Sequence, residues 1–177
     1  NIGADGVCEN CGNRYCAAVT NKNEQTIFCQ SVAEAIEAAK DGDAVKLLAD
    51  VQLTKDQTEI YIYKKITFDL NNKTIFGVEN SDYKGEVSVE CPATVKNGSI
   101  DADMYIEYEA ADTVLENLKV SGEVWSRADM IKILSGEYGS ISTLYTNLAR
   151  FLENGKTLKS GDKWVDVDNE SKCTDVY

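Results

Sequence analysis

A bend recurs along this chain at similar intervals, with apolar residues placed the same way around each one. A small polar residue stands at Asp50, Asn72, Asn97, Asn117 and Ser135. Two positions before each lies Leu48, Leu70, Val95, Leu115 or Ile133, and three positions after each lies Leu53, Ile75, Ile100, Val120 or Tyr138. The bends are 22, 25, 20 and 18 residues apart, as their positions give by subtraction. One unit of that length cannot bury its apolar face alone, whereas stacked units can. The repeat therefore predicts a mainly β chain, a parallel β-solenoid.

The segments between bends read as strands. Ile60 and Ile62 alternate with Tyr61 and Tyr63, and Ile66, Phe68 and Leu70 alternate with Thr67, Asp69 and Asn71. Val87, Val89 and Cys91 repeat the pattern, as do Met104, Ile106 and Tyr108. A period of two marks strands with one buried face. The Asn-rich bends tolerate left-handed backbone. Asn side chains at successive bends would form a hydrogen-bonded ladder, so Asn97→Ala is expected to cost more stability than Asn21→Ala.

The flanks differ. Residues 1–30 hold four of the six Cys and read as a knuckle and lead-in. Residues 31–138 read as a helix followed by the β-helix, and residues 139–177 as a cap. Ser31 with Glu34 forms a capping box that opens a helix, and Asp41-Gly42-Asp43 is expected to end it. Leu144, Leu148, Phe151 and Leu152 predict an amphipathic helix over residues 142–153. Lys156 to Val167 predicts a hairpin around Ser160-Gly161-Asp162, with Trp164 in its second strand. Helix and hairpin would cover the open last turn.

Composition narrows the function. The chain has 177 residues, 43% of them apolar, enough for one domain with a core. Its 30 acids and 18 bases give a net charge of −12. That surface is a poor match for nucleic acid or anionic membrane. No stretch approaches the ~20 apolar residues of a membrane span. The absence of His removes Ser-His and Cys-His nucleophile pairs. The abrupt start at Asn1 suggests a fragment of a longer protein.

Within this frame the run Ser31 to Leu53 (SVAEAIEAAKDGDAVKLLADVQL), followed by Ile66 to Ile75 (ITFDLNNKTI), resembles modules repeated in large secreted surface proteins of Gram-positive bacteria. Gly6 to Gly12 (GVCENCG) is similar to the cysteine knuckle that often precedes such modules, and Phe151 to Asp166 (FLENGKTLKSGDKWVD) to their ends. The likeness covers roughly residues 5–168. It implies a short right-handed parallel β-helix, secreted or attached to the cell wall, with sister modules in tandem. Related surface proteins of gut commensals include superantigens that bind host immunoglobulin, so the implied partner is a host protein, immunoglobulin among them, or a glycan. The knuckle departs from the pattern in lacking His.

Candidate sites follow from residue type. Cys8 and Cys11 have zinc-knuckle spacing and could hold a structural zinc, with Cys16 and Cys29 near enough to complete four ligands. A disulfide or free thiols compete with that reading, and the pairing of the six Cys stays open. Cys91 reads as core, and Cys173 could reach Cys29 or Cys16. Asp101, Asp103, Glu107, Glu109 and Asp112 cluster without calcium-loop spacing and read as a solvated acidic face. Tyr61, Tyr63, Tyr105 and Trp125 fall on outward strand positions, where Tyr and Trp are favoured contact residues. A non-catalytic binding module is the expected function. A polysaccharide lyase or glycosidase-associated fragment is one alternative, and a rigid spacer is the other.

Overall fold

The structure is a computed structural model that describes residues 2, 3, 6–128, 130–143, 148–152 and 164–167. It is mainly β, with one α-helix and a single mixed sheet curled into a half-barrel. An antiparallel hairpin leads in, β1 (Ala17–Thr20) and β2 (Thr26–Cys29), closed by a turn that the Asn21 carboxamide oxygen holds through the amides of Asn23 (2.9 Å) and Gln25 (3.1 Å). Helix α1 (Val32–Ala38) follows. Its start is the expected cap: the Glu34 amide donates to the Ser31 hydroxyl (3.1 Å) and the Gln30 amide to the Glu34 carboxylate (2.9 Å). Its end differs from expectation. The helix stops at Ala38, before Gly42. Gly42 (φ 90) instead shapes the next turn, tied by its amide to Lys65 O (2.7 Å) and by the Lys40 amide to the Asp43 carboxylate (2.9 Å).

The chain then passes repeatedly through three runs of strand pairing. The strands are β3 (Ala44–Leu47), β4 (Val51–Gln52), β5 (Glu59–Ile62), β6 (Thr67–Phe76), β7 (Glu86–Val89), β8 (Thr94–Asp101), β9 (Asp103–Ile106), β10 (Thr113–Ser126), β11 (Met130–Ile133), β12 (Gly136–Thr143), β13 (Leu148–Leu152) and β14 (Trp164–Val167). The first run is β3, the first halves of β6, β8 and β10, then β11 and β13, all parallel. The second is β4, the later halves of β6 and β8, the middle of β10 and the start of β12, also parallel. The third is β5, β7, β9, and the ends of β10 and β12, again parallel. Among the described residues, antiparallel strand pairing extends only the first run, through β1 on β3 and β14 on β13.

The register explains which repeat positions were read correctly. Val95, Leu115 and Ile133 face one another, as do Ile100, Val120 and Tyr138. In the two earlier passes the equivalents are Val45 with Phe68 and Val51 with Ile75, in place of Leu48, Leu70 and Leu53. The pairing slips between Asp69 and Lys73, where both Asn71 (φ 51) and Asn72 (φ 60) are left-handed. The two added bend residues, four positions from Asp69 to Lys73 against two from Lys96 to Gly98, absorb length without unseating the core, since Phe68, Leu70 and Ile75 are all fully buried.

Part of the expected Asn ladder is present, with Asp69 rather than Asn72 as its third member. The Asn117 carboxamide donates to the Asn97 side chain (3.3 Å), and that of Asn97 to the Asp69 carboxylate (3.1 Å). The Asn117 amide donates to the Ser135 hydroxyl (2.6 Å). Two further expectations fail. Leu148–Leu152 is a strand, not a helix, because the open edge of β11 supplies a partner and tertiary pairing outweighs local propensity. Cys91 lies beyond the end of β7 at a bend, half-buried, with its thiol on Tyr63 O (3.3 Å). The expected hairpin's second strand is β14, and β13 is its partner. Residues 144–147, Ser160-Gly161-Asp162 and Cys173 lie outside the described residues.

Candidate functional site

The outward side of the third run gathers three of the four aromatic residues singled out in the sequence. Tyr61, Ser88, Tyr105 and Trp125 occupy one register row across β5, β7, β9 and β10. The strand alternation causes this: Ile60, Ile62, Val87, Val89, Met104, Ile106 and Val124 fill the core, and the residues between them must turn out. Tyr105 and Trp125 stack with ring centroids 6.4 Å apart and planes 5° apart. Tyr63 sits one row on, exposed, and its hydroxyl donates to the Glu37 carboxylate of α1. That bond, then burial, raises its phenol above the ordinary value.

Carboxylates flank the aromatic row. Glu59, Glu86 and Asp103 share the row before it, and the Glu123 amide donates to the Asp103 carboxylate (2.9 Å). On the other side Glu90 and Glu107 follow Tyr63 in the stacking order, with Glu107 ion-paired to Arg127 at 3.6 Å. The crowding is felt: burial and then the Glu59 charge push the Glu86 carboxyl up. Tyr83 lies over this row with its hydroxyl on Glu86. Burial and the Glu86 charge raise its phenol to about 12.

A second feature adjoins this face. A groove of about 540 Å³ runs between α1 and β5, lined by Ala33, Glu34 and Glu37 on one wall and by Glu59, Tyr61 and Tyr63 on the other, with Ile36 and Ile60 at its floor.

The remaining candidates separate. Cys8 and Cys11 share a tight turn, in which hydrogen bonds from Cys11 lower the Cys8 thiol. Cys16 and Cys29 lie at the base of the β1–β2 hairpin, where burial raises both thiols. Among the described residues no third Cys, Asp or Glu joins Cys8 and Cys11. The acidic cluster is dispersed. Asp101 accepts from the Ser121 hydroxyl (2.5 Å), Asp112 pairs with Lys132 (2.9 Å), and Glu109 lies in a 3₁₀ turn.

Sequence reasoning missed Tyr83 and the Glu59–Glu86–Asp103 row. Alternation places each of these acids outward, but only the loop lengths decide that they stack. No family model, curated protein or solved structure matches this chain.

Proposed function

We propose that this chain is a non-catalytic binding module that grips a host protein with the outward side of its third run. The observation that carries the reading is the single register row of Tyr61, Tyr105 and Trp125. A rigid sheet holds these rings at fixed spacing, so little side-chain entropy is lost on contact. Tyr105 and Trp125 stack on each other, which occupies ring faces that a sugar would otherwise cover. The carboxylates beside the ring edges would complement basic groups on a partner's surface. The sequence resemblance makes immunoglobulin the first candidate, on a secreted or wall-attached bacterial protein.

The same reading takes the half-barrel as part of a right-handed parallel β-helix. All three runs of pairing are parallel wherever the chain passes on from one level to the next, and parallel crossovers are overwhelmingly right-handed. A scaffold of this kind leaves function to its surface.

The test is capture from human mucosal secretions on the immobilised chain, with Trp125→Ala and Tyr105→Ala beside it. The expected result is a captured host protein whose affinity falls about thirtyfold with either variant, the scale of a central aromatic contact. Thermal unfolding confirms that the variants remain folded. Equal capture by the variants removes this face as the site. Binding only to an immobilised glycan replaces the partner class, and an empty eluate from folded protein leaves the spacer.

A further inference from the structure

The groove between α1 and β5 has a second property, which comes from the backbone. β5 begins the third run and pairs only with β7 among the described residues. The Glu86 amide donates to Thr58 O (3.0 Å) and the Glu90 amide to Ile62 O (2.9 Å). Residues 58, 60 and 62 therefore turn their carbonyls toward β7. By the parity of a parallel strand, Glu59 and Tyr61 turn both N–H and C=O the other way, into the groove. Unpaired edge groups of this kind are a template for another strand.

We propose that this groove takes an extended, cationic peptide segment, which adds as a strand to β5. Size agrees. Taken along the four residues of β5, about 13 Å when extended, a volume of about 540 Å³ corresponds to a cross-section of about 40 Å². One strand within packed sheets occupies about 4.8 by 10 Å, close to the same area. Charge selects the occupant: Glu34, Glu37 and Glu59 line the groove and no base does. Lys64 lies at one end of the groove, its ammonium donating to Glu37 O and Ala39 O and lying 5.4 Å from the Tyr63 ring, and leaves the Glu34 and Glu59 end without a base. Ile36 and Ile60 offer an apolar floor to alternate side chains, while the others would meet the carboxylates. A second copy of this chain, with a net charge of −12, is the wrong sign for the site. Tyr61 belongs to both the groove and the aromatic row, whereas Trp125 and Tyr105 lie outside the groove, so Trp125→Ala tells the two readings apart.

The probe is a fluorescein-labelled octapeptide alternating Lys and Val, titrated into the full chain and followed by anisotropy. Saturable binding is expected, with a Glu–Val peptide inert. Methylating the peptide's amide nitrogens at odd or at even residues should weaken binding about tenfold in one phase and leave the other unchanged. Glu59→Lys should weaken it to a similar extent, and Trp125→Ala should leave it intact. No binding, equal binding of both methylated phases and the parent, or equal binding of the Glu–Val peptide would each overturn the proposal. A dimer in sedimentation that dissociates in Glu59→Lys would assign the groove to a second copy and overturn it too. The peptide series requires no variant to fold.

Discussion

Asn97 combines two roles that are usually separate. It holds a left-handed backbone (φ 58), and its side chain links Asp69 on one side to Asn117 on the other. Asn97→Ala adds strain and removes both bonds, a loss of about 2 kcal/mol. Asn21 is no neutral comparison, because its side chain holds the β1–β2 turn. Asn23, exposed on that turn, serves instead, and Asn23→Ala should fall within about 0.5 kcal/mol of the parent. Denaturant midpoints of the two variants check this, and equal midpoints would remove the ladder as a source of stability. Glu86 makes the opposite kind of contribution. Its folded carboxyl is raised, so the folded state binds the proton more tightly than the unfolded state does. The resulting penalty is fully present at neutral pH, fades as pH falls through the raised value, and is gone below the unfolded value near about 4.3. Glu86→Gln keeps an acceptor for Tyr83 and should raise the melting temperature at pH 7, with the gain shrinking toward pH 4. A gain independent of pH would contradict the burial of that charge.

Among the elements, β5 gives the sharpest expectation. Its pairing is one-sided, so protection from amide exchange should alternate along four residues: slow at Ile60 and Ile62, fast at Glu59 and Tyr61. Residue-resolved hydrogen exchange reads this directly, and uniform protection would mean that the groove-side groups are already paired. Elements set by local chemistry were the legible ones. Ser31 and Glu34 fixed where α1 begins because both partners lie within one turn. The alternation of Ile60, Ile62, Met104 and Ile106 placed Tyr61 and Tyr105 outward for the same reason. Leu148–Leu152 was misread because its apolar spacing fits a helix, and the edge of β11 that makes it a strand is remote in sequence. The slip at Asn71 and Asn72 was hidden because two left-handed residues look no different in sequence from one.

At the scale of the molecule, the repeat announced stacked parallel pairing, whereas the candidate site arises only from the stack. Tyr61 and Trp125 are distant in sequence and meet in one row through the lengths of the intervening loops. Tyr83 and the groove under α1 belong to loops and packing angles that no period encodes. The same stack has uneven ends. At its start the first run continues through β1 and β2, while the second and third stop at β4 and β5. That end is a staircase rather than a flat landing. Were copies joined in tandem, this step is the surface a preceding copy would have to match. A flat neighbour would touch only the extended first run and leave a gap beside β4 and β5, so such a join would hinge rather than stiffen.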